Sequence, residues 1–129
     1  MEFVIRGRCG RFEPNADAFL DEERGAIVVT LEVAGVAPET LRLTVEAERL
    51  SIAGRRFDTL PQRRGSFVLK EIAFGEFGRE LDLPVPVDIE RSSATYLDGL
   101  LTIVLPIAAT AYIPTARNDV RIIVQRIVI

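Results

Sequence analysis

The sequence predicts an all-β protein, an antiparallel β-sandwich, and three observations carry that prediction. Short runs of alternating apolar and polar residues recur along the chain with turn signals between them. No long stretch keeps the three-to-four-residue apolar spacing of a helix. Asp98-Gly99 is a two-residue turn signal between strand-like runs, because Gly99 takes a positive φ without steric cost and Asp98 tolerates it. After that turn Leu101, Ile103 and Leu105 point one way and Leu100, Thr102 and Val104 the other. Pro106 ends the run because it cannot donate to a ladder.

Each element follows in order. Residues 12–21 read as an extended arm leading into a short edge strand, closed by the polar turn at 21–25. Residues 26–33 form a strand with Ile27, Val29, Leu31 and Val33 on one face. The stretch 34–38 breaks it, and Pro38-Glu-Thr can begin one helical turn. Leu41, Leu43 and Val45 alternate with polar residues in a second half-buried strand, and residues 50–54 pair with it as a hairpin. Residues 55–65 read as an exposed, mobile loop. Strand character returns over 66–72 with Phe67, Val68, Leu69 and Ile72, followed by a turn at 74–78. Phe77, Leu81 and Leu83 then share a face with Arg79, so that face is only partly buried or lies near a sheet edge. Residues 84–88 are an extended connector containing Pro84 and Pro86, and 91–96 form the first strand of the hairpin.

The end of the chain departs from ordinary termini, which are polar and frayed. Residues 107–118 read as a linker, yet 120–129 are strongly apolar and β-branched. Val120, Ile122 and Val124 share one face of an extended segment, and Ile123, Ile127 and Ile129 share the other. One reading makes this the last strand of the chain's own sandwich. The other makes it a segment that docks on a sheet edge or groove of a neighbouring chain. Left exposed, it would promote aggregation.

Composition narrows the chemistry. The chain has 129 residues, enough for one domain with its own core. Sixteen basic against 19 acidic residues give a net charge of −3, so no nucleic-acid partner is expected. There is no histidine, the usual general base and commonest metal ligand. Cys9 is alone, so it forms no internal disulfide and lacks the partner a thiol nucleophile needs. No glycine-rich phosphate loop is present, and no run reaches the roughly 18 apolar residues of a membrane span. The expectation is a cytoplasmic, non-enzymatic protein with no cofactor, no catalytic or metal-binding residues and no membrane partner.

Four motifs resemble the α-crystallin domain of small heat shock proteins. Val33-Ala-Gly-Val-Ala-Pro-Glu-Thr-Leu41 resembles that family's connection between two strands, and Leu50-Ser-Ile-Ala-Gly-Arg55 the strand that follows. Phe77 through Leu83-Pro84 resembles its aromatic-to-leucine-proline strand. Ala94 through Asp98-Gly99-Leu-Leu101 is similar to its alanine, three residues, Asp/Asn-Gly-Val-Leu signature. Together they span about residues 14–106 in the family's order.

The resemblance implies a seven- or eight-stranded, immunoglobulin-like sandwich over 13–106, with a short arm over 1–12 and an extension over 107–129. It implies a homodimer by strand exchange, with 66–72 (Phe67, Val68, Leu69, Ile72) as the donated strand and residues 17–20, including Phe19, as the receiving edge. It also implies a groove between the strands at 41–45 and 91–96, walled by Leu41, Leu43, Val45, Ser92 and Ala94. An apolar C-terminal motif would fill that groove: Ile122-Ile-Val124, Val120-Arg-Ile122 or Ile127-Val-Ile129. Burying two such side chains contributes about 3–6 kcal/mol before ordering costs, enough to link subunits into a higher homo-oligomer when several act together. Ser92 stands where the family usually has isoleucine and makes that wall less apolar. The family usually carries a longer N-terminal arm that binds clients and builds large oligomers, and about a dozen residues precede Pro14 in this sequence.

The function so implied is that of an ATP-independent chaperone of the stress response, a holdase binding non-native client proteins. A second expectation is an adaptor or co-chaperone module that docks on one folded partner. A carbohydrate-binding accessory sandwich would need exposed aromatics, and the chain has no tryptophan and two tyrosines, Tyr96 and Tyr112.

Overall fold

A computed structural model describes residues 12–58, 60, 64–109, 118–120 and 122–124. The described strands are β1 (Ala16–Asp21), β2 (Ala26–Glu32), β3 (Arg42–Glu46), β4 (Arg49–Arg56), β5 (Gly75–Asp82), β6 (Ser93–Leu97), β7 (Leu100–Pro106), β8 (Asn118–Asp119) and β9 (Ile122–Val124). They form two sheets, in the orders β1-β2-β7-β6-β9 and β5-β4-β3-β8, packed over a single apolar core. The expected all-β sandwich is the fold.

The alternation seen in the sequence sets the register. Ile27, Val29 and Leu31 of β2 face Leu105, Ile103 and Leu101 of β7, and all six are buried. In the second sheet Leu43 and Val45 face Ile52 and Leu50 and are equally buried. A slip of one residue in either pair would turn these side chains to solvent, so the register is strongly specified. Between β6 and β7, Asp98 has φ 53° and Gly99 φ 79°, as a tight hairpin with the strands' own twist requires. Gly99 is needed twice over, because a Cβ there would lie 3.1 Å from Ala34. The helical turn expected at Pro38 is a single 3-10 turn, Pro38–Thr40. The Thr40 hydroxyl, which donates to the Ala37 carbonyl (2.7 Å), accepts from the Arg55 N–H (2.9 Å) and ties this turn to β4.

Several local expectations are corrected. The turn at 74–78 is not formed: β4 continues to Arg56, and β5 pairs with it from Gly75 onward. Gly54 makes this possible, since a Cβ there would lie 2.7 Å from the Phe77 ring opposite. The strand expected from residue 91 starts at Ser93, after a turn closed by the Ser92 N–H to Ile89 carbonyl bond (3.2 Å). Residues 66–72 form no ladder with any described strand. Pairing is not antiparallel throughout either. β8 runs antiparallel to β3 and β9 parallel to β6, as a tail crossing two oppositely directed edges without reversing must do.

Candidate functional site

The residues singled out from the sequence fall on two opposite sides of the sandwich. On the first, β3 and β6 are neighbouring edges of the two sheets, and the tail lies across both. Asp119 and Asn118 pair with Thr44 and Val45, the Val120 N–H donates to the Leu43 carbonyl (2.9 Å), and Ile122 and Val124 pair with Ala94 and Tyr96. Val120 and Ile122 are partly buried and pack on the core. The structure thus brings Leu43, Val45, Ala94, Val120 and Ile122 together, with the Val124 backbone beside Tyr96. Ile127 and Ile129 lie outside the described residues.

Two of the expected groove residues are placed differently. Leu41 precedes β3 and packs in the row it forms with Gly54 and Phe77, beyond the reach of the β8 pairing. Ser92 is in the turn before β6, and its hydroxyl donates to the Asp88 carbonyl (2.9 Å). Its polarity is therefore spent locally. The resemblance implies a wall that includes Ser92 and Ala94, but the Asp88–Ser92 turn takes Ser92 out of the strand.

The second side carries β1 and β5, the other two edges. Arg79 on β5 joins them, its guanidinium donating to the Pro14 carbonyl (2.9 Å) and pairing with Glu13 (3.9 Å). That explains the arginine on an apolar face. Among the described residues β1 pairs on one flank only, with β2, and both its faces are open to solvent. Phe19 is 63% exposed and Leu20 46%. Leu20, the last residue of the expected receiving edge, stands opposite buried Ile27 and so points inward at a place the second sheet does not cover. In the segment that leads into β5, Phe67, Val68, Leu69 and Ile72 are all exposed, Val68 completely. What this arrangement can do chemically is bind apolar, extended chain: it has an unpaired ladder and a set of uncovered hydrophobic side chains.

Tyr96 is the buried polar residue of the first side. Its hydroxyl donates to the Val33 carbonyl (2.9 Å), and burial pushes its pKa up from 10.0. No helix among the described residues is long and apolar enough to cross a membrane.

Comparison with known proteins agrees with this architecture. The model of the Hsp20/alpha crystallin family matches residues 20–124. Heat shock protein 16.0 from Schizosaccharomyces pombe superposes with a TM-score of 0.68 at 25% identity, over 82% of this chain and 96% of that one. The 18 kDa antigen 2 of Mycobacterium avium is 35% identical over 95 residues, 74% of this chain and 66% of that protein. Small heat shock protein C4 of Rickettsia felis is 28% identical over 87 residues, 67% of this chain and 53% of the relative, so the match spans about half of that protein's length. The chain belongs to the Hsp20/alpha crystallin family, as an α-crystallin-domain small heat shock protein.

Proposed function

We propose that this protein is an ATP-independent, cytoplasmic holdase that works as a homodimer and limits the aggregation of unfolding proteins. In this reading residues 66–72 pair with the β1 edge of a second copy, and apolar surface left open on that side binds non-native chains. The observation that carries it is that one chain holds both a strand paired, among the described residues, on one flank only and six exposed apolar residues in that strand and in residues 66–72: Phe19, Leu20, Phe67, Val68, Leu69 and Ile72. A ladder between copies satisfies the edge that a lone chain leaves open. No catalytic group is required, since binding exposed apolar segments needs only area and unpaired backbone.

The tail, residues 107–129, acts as a detachable extension of the sandwich at 13–106, with 1–12 as a short arm. Because Val120 and Ile122 make the same contacts whether the groove belongs to their own chain or another, exchange of tails links dimers into larger assemblies. The test is a heat-aggregating model enzyme mixed with several-fold excess of the full chain. Suppressed light scattering is expected, and undiminished scattering would sink the holdase.

A second reading, an adaptor that docks on one folded partner, draws on a different observation: in this structure the tail lies on its own sandwich. A stable monomer at all concentrations, with no protection of the model enzyme, would favour that reading instead.

A further inference from the structure

A row of alternating rings and cations leads from the core to the proposed dimer segment. The Arg56 guanidinium, at the end of β4, lies 3.9 Å from the Phe12 ring centre and 5.6 Å from that of Phe74. The Lys70 ammonium lies 5.1 Å from Phe74 and 5.0 Å from Phe67. The order is Phe12, Arg56, Phe74, Lys70, Phe67, each cation between two rings and within the roughly 6 Å over which a ring's quadrupole attracts it. At its inner end Phe12 is buried and packs on Phe77 of β5, with ring centres 4.8 Å apart.

Hydrogen bonds reinforce the row at both cations. Arg56 donates from Nη1 to the Ala34 carbonyl (3.1 Å) and from Nε to the Ala73 carbonyl (2.9 Å), with Nη2 also donating to Ala73. One planar fork thereby holds three points of the chain: the end of β4, the turn after β2 and the residue before Phe74. Lysine could not do this, having a single compact charge in place of a fork. Lys70 donates to the Ile72 carbonyl (3.0 Å) and folds back over its own segment.

We propose that this row is a strut that fixes residues 64–74 against their own sandwich and so presents Val68 and Leu69 outward to a second copy. Arg56 and Lys70 are then positioning residues for association. The physical reason is preorganisation: a segment already ordered in the free chain loses less freedom on pairing than a loose one. The sequence holds the two cations in different forms, since Lys70 is the only lysine in the chain. The proposal rests on the dimer reading above for its purpose, though not for the existence of the strut.

The full chain tests it in two measurements: the rate of chymotrypsin cleavage after Phe67 and Leu69, read by fragment mass, and the dimer dissociation constant. Arg56→Gln should speed those cleavages about tenfold and weaken the dimer about tenfold, while amide protection in β2 and β7 stays as in the parent. Arg56→Lys, which keeps the charge and loses the fork, should fall between. Lys70→Gln, at an exposed position with no bearing on the core, should give about threefold in each measurement. Combining Arg56→Gln with Phe74→Leu should add little to the single change, because both break the same row. Acetylating the amines of the parent should mimic Lys70→Gln, and dimethylating them, which keeps the charge, should not. Unchanged cleavage in both Arg56→Gln and Lys70→Gln overturns the strut, whatever the oligomeric state. Faster cleavage in a chain that never dimerises upholds the strut and overturns the dimer reading. Faster cleavage with an unchanged dissociation constant overturns the role in association.

Discussion

On one side of the sandwich the edges β3 and β6 are covered by the chain's own tail, whereas on the other β1 and β5 keep a flank unpaired among the described residues. The two open edges also differ from each other. β5 is guarded by charge, with Glu76 and Asp82 paired to Arg55 and Arg49 at 3.8 and 3.6 Å. Such exposed pairs contribute little to stability, but charges along an edge discourage pairing with another chain. On β1 an ion pair, Asp21 with Arg24 (3.8 Å), lies at the strand's end, and Phe19 and Leu20 stand exposed between the strand's two aspartates. A fold that closes one side with its own tail and leaves one apolar strand open on the other has separated two tasks. The covered side contributes to the stability of the chain, and the open side is available for association.

The sharpest way to break this division is to charge the open side. Val68→Asp with Leu69→Asp should raise the dimer dissociation constant about a hundredfold or more, equivalent to about 2.7 kcal/mol, while the melting of the dilute chain stays unchanged. Both side chains are already solvated in the free chain, so a large fall in its melting temperature would show that they serve the fold instead. Removing the covered side's tail, by ending the chain at Pro106, should act in the opposite sense. Two half-buried aliphatic side chains are lost, so stability should fall by about 1.5–3 kcal/mol in a urea titration. The dimer mass should persist, and any larger assembly should disappear. A tail-less chain that becomes monomeric would place the dimer contact on the wrong side.

A smaller change within the core connects the halves of the second sheet. Gly54→Ala puts a methyl group 2.7 Å from the Phe77 ring and 3.1 Å from Leu41. Overpacking of this kind costs about 1–3 kcal/mol. Because β5 is the strand displaced, faster amide exchange should be confined to β4 and β5.

The legible part of this fold was its local part. Alternation placed Ile27, Val29 and Leu31 inward, and Asp98-Gly99 marked the hairpin, because both depend on neighbours along the chain. The start of β5 was not legible: Gly75 and Gly78 signal a turn, whereas pairing with Arg56 and Ala53 of β4 draws both into the strand. The inward direction of Leu20 was not legible for a related reason, since it is set by Ile27 across the ladder. The groove residues came from the resemblance and not from the alternation. The tail backbone runs beside Leu43, Val45 and Ala94, while Ser92 turns away to Asp88 through a local bond that the alternation does not signal. The row from Phe12 to Phe67 gives no signal in the sequence at all, because its members come from the arm, the end of β4 and the loop and meet only when β5 returns.

Tyr96→Phe isolates the covered side with the smallest expected effect. The hydroxyl satisfies the Val33 carbonyl at the end of β2, and its removal leaves that buried acceptor without this partner, at a cost of about 1 kcal/mol. The ring remains, so no cavity forms and the register of β6 with β7 is kept. The pH dependence has a definite sign. Burial raises the folded pKa above 10.0, so the folded chain holds the phenolic proton more tightly than the unfolded chain. Stability from this group is fully present below pH 10 and declines as the unfolded phenol ionises above it. Tyr96→Phe should therefore be less stable than the parent near neutrality and should lose less stability between about pH 9.5 and 11, as measured by urea unfolding across that range. Neither change should alter the dimer dissociation constant at neutral pH. If it did, the covered and open sides would be coupled through β2, which reaches Tyr96 at Val33 and pairs with β1 along its length.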